Sequence, residues 1–246
     1  MHDSTTRFSD RVEDYERYRP SYPPEIIDAL LDGYEAPFVA DLGAGTGISA
    51  RLLRDAGATV YAVEPNATMH SVLRQHPGIV PIDGTAEATT LPDAGVDIVT
   101  AFQAYHWFDA DATLREAGRV AKQRARFGAV WNHRCRDDDF TLGYESVAAR
   151  YDRSKGALDR DRRAGTIVDD LKRHHWTNLR IVRAMHTHEL TLDRLTGFAR
   201  SCSYLPRTGP EFEAMSTELH ELYARHAESA LPAFRFETNA FIADRP

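Results

Sequence analysis

Apolar residues recur along this chain with two different periods. Runs that alternate or stay apolar over four to seven positions are separated by stretches whose apolar positions return every three or four residues, which predicts a parallel sheet covered by helices on both faces. The expected order is helices at about 8–17 and 24–33, strand 37–41, helix 47–56, strand 58–64, helix 67–75, strand 79–82, strand 96–101, helix 110–121 and strand 126–131. Within helix 47–56, Ile48, Leu52 and Leu53 share the face that would pack on the sheet, and Gly57 stands where a helix commonly stops. After Trp131 a charged, aromatic region runs to about residue 175. It is followed by strand 180–187, helices near 191–200 and 210–227, and a strand 234–242 that would complete the sheet. The expectation is a single domain over 1–246, with a core of about 20–131 and 178–246 and a helical cap or lid at about 132–177. Asp152 to Arg163 is polar enough to serve as a mobile loop.

Candidate chemistry enters at the first strand's end. Phe38-Val39-Ala40-Asp41-Leu42 runs into Gly43-Ala44-Gly45-Thr46-Gly47, three glycines at every second position ahead of a helix. Such a loop brings backbone amides close to a ligand and takes up angles a Cβ would forbid. The dinucleotide fingerprint G-x-G-x-x-G would need its third glycine at position 48, which is Ile48. Thr59-Val60-Tyr61-Ala62-Val63 then ends in Glu64, at the tip of a second strand beside the glycine loop, where a carboxylate can accept both hydroxyls of a ribose. Nicotinamide enzymes use the same device, so the glycine spacing carries the distinction between cofactors.

Composition narrows the partners. The chain has 246 residues, 42% hydrophobic and 27% charged, with a formal net charge of −7. A nucleic-acid partner calls for a basic footprint. The clusters Lys122-Gln123-Arg124-Ala125-Arg126 and Arg160-Asp161-Arg162-Arg163 are short and read as solvated loop charges. Cys135 and Cys202 are too few for a disulfide framework and lack metal spacing. His186-Thr187-His188 and His174-His175 have no third ligand at a motif spacing, so no metal is expected. No apolar run reaches the roughly 18 residues of a membrane span. The polar start lacks a signal peptide's apolar region, so a cytoplasmic protein without membrane contact is expected.

The acid two residues ahead of G-x-G-x-G resembles motif I of the class I S-adenosylmethionine-dependent methyltransferases. Four further stretches resemble a small-molecule subgroup similar to trans-aconitate methyltransferases: Phe8-Ser9-Asp10…Tyr15…Tyr18-Arg19-Pro20-Ser21-Tyr22-Pro23, Gln103-Ala104-Tyr105-His106-Trp107-Phe108-Asp109, Val130-Trp131-Asn132 and Ser201-Cys202-Ser203-Tyr204-Leu205-Pro206. The resemblance spans nearly the whole chain. It implies a Rossmann-like α/β fold, a seven-stranded mostly parallel sheet of order 3-2-1-4-5-7-6 with extra helices capping the acceptor side. It also implies S-adenosyl-L-methionine as cofactor and S-adenosyl-L-homocysteine as product. The cofactor ligands it implies are Arg19, Asp41, Gly43, Ala44, Gly45, Gly47, Glu64, Pro65, Ala86, Glu87, Phe102 and Gln103. Ala86 and Glu87 would flank the adenine, Phe102 and Gln103 would face the methionine part, and Arg19 would pair with its carboxylate.

A sulfonium methyl is already activated, so the protein mainly aligns the nucleophile and removes water. For a hydroxyl or activated carbon acceptor, His106 is the histidine best placed to take a proton; the other reading is a buried ring that orders the loop. For a carboxylate acceptor no base is required, and Arg19 or Arg134 would hold it. Tyr18, Trp107, Trp131 and Tyr204 are the candidate acceptor pocket; packing is the alternative for Tyr18 and Trp107, and a structural hydroxyl bond for Tyr204. The partner expected is a small-molecule acceptor methylated on O, N or C, not nucleic acid, because no Asn/Asp-Pro-Pro-aromatic motif follows the fourth strand. The chain is expected as monomer or homodimer. The competing reading is a cofactor-binding protein of the same fold with a non-methylating reaction or no catalysis.

Overall fold

Strand β1 (Phe38–Leu42) is buried from Val39 onward and is flanked by β2 (Thr59–Val63) and β4 (Val96–Phe102), both parallel to it. A strand covered on both sides must be apolar nearly throughout, which is why these three lack a clean polar alternation. The computed structural model, which describes residues 9–153, 166–228 and 230–245, adds β3 (Ile79–Ile82), β5 (Ala121–Arg134), β6 (Thr177–Glu189) and β7 (Ala233–Asp244). The sheet order is β3-β2-β1-β4-β5-β7-β6, as the resemblance implied. Only β7 runs antiparallel to its neighbours, β5 and β6.

Helices cover both faces. α1 (Val12–Tyr18) and α2 (Pro24–Leu31) precede the sheet, α3 (Ile48–Asp55), α4 (Ala67–Leu73) and α5 (Ala110–Val120) form its crossovers, and a 3-10 turn holds Tyr105–Trp107. One core cluster, with Leu114, Phe127 and Trp131, lies on one face; another, with Ile26, Leu30 and Leu53, lies on the other. In α3, Leu53 is fully buried and Leu52 packs against the same cluster, whereas Ile48, expected on that face, is only partly covered.

The region after β5 holds α6 (Asp139–Tyr151) and α7 (Ile167–Arg173), and α8 (Leu192–Ser201) and α9 (Pro210–Ala227) follow β6. α6 buries Phe140, Tyr144, Val147 and Ala148 against α8 and α9 in a third core cluster. Asp138 caps it by accepting from Thr141 N at 2.8 Å. The expected strand 126–131 is longer in the structure. Residues Arg126 to Arg134 all pair with β7, and pairing with β4 begins at Ala121 before a register shift. The expected 152–163 lid lies outside the described residues apart from Asp152 and Arg153, as does Phe8 at the start of the first expected helix.

Candidate active site

The glycine loop lies at the carboxyl end of β1, where strand order reverses between β2 and β4. Gly43 and Gly45 have φ of 65° and 60°, backbone that a side chain strains. A Cβ on Gly43 would come within 2.8 Å of the Ala104 Cβ. At Gly45 the constraint differs: an added Cβ would meet nothing closer than Met69 Sδ at 3.7 Å and Tyr15 Cε1 at 3.9 Å. Both of those side chains line a cavity with Gly45, so the missing side chain leaves the loop open on that side to a close ligand.

Glu64 is 6% exposed and accepts from the amides of Gly45 and Asn66, each at 2.8 Å. Burial pushes its carboxyl pKa up, and the two amides oppose that. Around it, the same cavity is lined by Gly43, Pro65, Asn66, Thr85, Ala86, Glu87, Phe102, Gln103, Ala104, Trp107 and Phe108. Glu87 also accepts from Asp109 N at 3.0 Å, which ties the loop after β3 to the start of α5.

A second, larger cleft adjoins the first and shares Tyr15, Gln103 and Trp107 with it. Arg19, His106, Trp131 and Tyr204 line this second cleft. His106 lies 3.4 Å from Trp131 Nε1, which donates to its Nδ1. Arg19 stacks over Tyr15 and Phe198, at 5.0 and 5.5 Å from the ring centroids. Its Nη2 donates to Ser201 O at 2.9 Å, while its buried Nε has no partner among the described residues. Arg134 is already paired, to Glu145 Oε1 at 2.6 and 2.9 Å.

Gln103 forms the partition between the two spaces, and it does so in a strained conformation with φ of 51°. Two hydrogen bonds hold it there: Gln103 N donates to Val130 O at 2.8 Å, and Nε2 donates to Asn132 O at 3.1 Å.

Several predicted residues fall outside the cavities or border the other one. Asp41 is fully buried beneath the loop, where it accepts from Ser49 Oγ at 2.6 Å and Thr100 Oγ1 at 2.8 Å, and burial pushes its pKa up to about 6. It braces β1 against α3 and β4. Ala44 donates to Val63 O and Gly47, at the start of α3, faces Leu73, so both shape the loop from behind. Tyr18, expected in the acceptor pocket, packs on Gly197 and gives its hydroxyl to Asp193 at 3.0 Å. Arg19, expected at the cofactor, borders the second cleft. Met69 and Asn66 were not singled out from sequence. Asn66 caps α4 through Thr68 N and Met69 N, and a helix starting right after Glu64-Pro65 was the signal that placed Met69 at the loop. Phe198 and Phe236 reach the cleft from distant elements and left no local signal.

His186 and His188 do share one face of β6. His186 stacks on Phe236 and contacts Asn132 Oδ1 at 3.3 Å. Among the described residues no group of three His, Cys, Asp or Glu side chains is placed to hold a metal ion, and no helix is long and apolar enough to cross a membrane.

Comparison with known proteins agrees with this geometry. Residues 40–128 match the family model described as a methyltransferase domain. An uncharacterized methyltransferase of Mycobacterium tuberculosis is 46% identical over 133 residues, 54% of each chain, so this chain spans about half the length of that curated relative. A protein of Anaeromyxobacter dehalogenans provisionally assigned as a type II methyltransferase superposes with a TM-score of 0.66 at 22% identity, covering 93% of this chain and 97% of its own. The phosphoethanolamine N-methyltransferase 2 of Haemonchus contortus, solved with phosphomonomethylethanolamine and S-adenosylhomocysteine, gives 0.55 at 13% identity, covering 97% of this chain and 57% of its own. Sheet order, glycine loop and matched segment converge: residues 40–128 match a methyltransferase domain, and the chain has the fold of the solved methyltransferases.

Proposed function

We propose that this protein transfers a methyl group from S-adenosyl-L-methionine to O, N or C of a small-molecule acceptor. The observation that carries the reading is the pair of cavities meeting at Tyr15, Gln103 and Trp107. One has the polar fittings of a nucleoside site, and the other is a cleft lined by aromatic rings and by the guanidinium groups of Arg19, Arg134 and Arg136. A structural neighbour of the same fold, solved in complex with S-adenosylhomocysteine and phosphomonomethylethanolamine, supports the assignment of the first cavity.

In this reading Glu64 accepts the ribose hydroxyls through lone pairs its two amide contacts leave open. The backbone of Gly43, Ala44, Gly45 and Gly47 shapes the loop that cradles the nucleoside, and Asp41 holds that loop in place. Pro65, Ala86 and Glu87 border the adenine, and Phe102 and Gln103 border the methionine part. When bound, the cofactor supplies a sulfonium-activated methyl group. Trp107 and Gln103 hold the acceptor in line with it and exclude water, which raises the effective concentration of the nucleophile. His106, Trp131 and Tyr204 line the acceptor side, and Arg19 meets a negative or strongly polar acceptor group there. α6 and α7 act as the cap of a single methyltransferase domain that works as monomer or homodimer.

The test is acceptor-dependent turnover. Incubating the purified protein with S-adenosylmethionine and fractions of a metabolite extract should release S-adenosylhomocysteine, measured by mass spectrometry, in some fractions only. Cofactor binding without release in any fraction would overturn methyl transfer and favour a cofactor-binding role.

A further inference from the structure

Glu16 is the neighbour in α1 of Tyr15, which lines both cavities, and its carboxylate reaches a charged cluster at the glycine loop. Its Oε1 accepts from Nη2 of Arg51, on α3, at 2.9 Å and lies 3.6 Å from Nε2 of His76, while its Oε2 is buried without a partner among the described residues. Arg51 therefore supplies most of the compensation for that carboxylate. The same guanidinium donates from Nη1 to Thr46 O of the glycine loop at 3.2 Å and meets His76 Nε2 at 2.6 Å. A guanidinium can only donate, so the short contact requires a lone pair on Nε2 and a neutral ring. That ring also lies against the loop: a Cβ on Gly47 would stand 3.6 Å from His76 Cδ2 and 3.8 Å from Arg51 Nη1. One guanidinium thus joins α1, the glycine loop and the segment that follows α4.

We propose that Arg51 and His76 are positioning residues for cofactor binding, which tie the seating of α1, and with it Tyr15, to the conformation of the glycine loop through a latch that holds while His76 is neutral. The inference rests on the reading of the first cavity as the cofactor site, although the latch itself does not. Glu16, Arg51 and His76 line neither cavity, so they act through Tyr15 and the loop and not by touching a ligand. Protonation at Nε2 would remove the lone pair that Arg51 uses and set a second cation against the guanidinium. The charged groups facing His76 are Glu16 from α1 and Arg51 and Arg54 from α3. Partial burial first, then Arg51 and Arg54, hold its pKa below the ordinary imidazole value, with Glu16 and the Thr46 backbone opposing them. A base lowered in this way stabilises the closed latch fully above about pH 6.5, and the contribution is lost as pH falls through the lowered value.

The experiment is a calorimetric titration of the full chain with S-adenosylhomocysteine between about pH 5.5 and about pH 8, repeated on His76→Gln and His76→Leu. The wild type should bind at least about threefold more weakly at the acid end. In His76→Gln the amide oxygen still accepts from Arg51 and takes up no proton, so this step should be absent. His76→Leu offers Arg51 no acceptor and should bind more weakly than His76→Gln across the range. Asp41, with a pKa of about 6, titrates in the same window in all three proteins, so the difference between them isolates His76. Parallel pH profiles in the wild type and His76→Gln would overturn the proposal, as would equal binding by the two variants. Hydrogen exchange of the ligand-free protein is the second readout: protection of residues 12–18, relative to the central strands, should fall on acidification in the wild type and hold in His76→Gln. If circular dichroism shows that the variants do not fold, exchange in the wild type decides, and protection that does not fall overturns the latch. Absence of S-adenosylhomocysteine binding at about pH 8, with the expected exchange pattern present, would overturn the cofactor reading and not the latch.

Discussion

Glu64 spends both carboxylate oxygens on amides, yet a carboxylate accepts at about four lone-pair positions. Two remain for the hydroxyls of a ribose. Glu64→Gln should weaken S-adenosylhomocysteine binding by about 1–3 kcal/mol, read by calorimetry; unchanged affinity would mean the ribose lies elsewhere. Beneath it, Asp41 has a folded pKa raised to about 6 by burial. A carboxyl whose folded pKa exceeds its unfolded value of 3.8 stabilises the fold fully below about pH 4, and that contribution is lost as pH rises through about 6. Asp41→Asn should therefore flatten the fall in melting temperature between pH 4 and pH 6, a window worth about 3 kcal/mol at full ionisation. The residues at strand ends were legible in sequence, because a glycine loop and an acid after a β-branched run announce themselves locally. Asp41 was read as a ligand from the motif it belongs to, and its bracing role was not legible because its partner Thr100 lies 59 positions away, a pairing that only the fold brings together.

α1 reaches across the sheet's carboxyl edge through charged contacts. Asp14, 3% exposed, pairs with Arg200 and with Arg207 at 3.3 Å, and Arg11 donates to the carbonyls of Arg200, in the last turn of α8, and of Cys202 just after it. On the other side Glu16 meets Arg51 of α3 at 2.9 Å. The helix carries Tyr15 into both cavities, so its seating sets their shape. Asp14→Ala leaves two cations without a partner beside a buried site; we expect a loss of about 1–3 kcal/mol, faster proteolysis within residues 12–18 and weaker cofactor binding. Proteolysis as slow as in the wild type would show that α1 stays seated without these pairs. The strand and helix order was readable from periodicity. The length of β5 was not, since its polar end at Asn132, His133 and Arg134 is satisfied by pairing with β7, which sequence cannot see. A helical cap over 132–177 was expected, but the bounds of α6 were not, because its buried stripe of Phe140, Tyr144, Val147 and Ala148 is interleaved with polar residues.

At the scale of the molecule, the sheet order places two cavities on one edge, with Gln103 and its strained backbone as the partition. In the proposed methyl transfer that division of space is a nucleoside site beside an aromatic cleft, a reading that depends on the identity of the first ligand. The most direct measurement is a calorimetric titration of the purified protein with S-adenosylmethionine, S-adenosylhomocysteine and NAD. Saturable binding of both adenosyl compounds, with none of NAD, is the predicted result. Binding of NAD alone would contradict the account, since the glycine loop and Glu64 would then serve a nicotinamide cofactor.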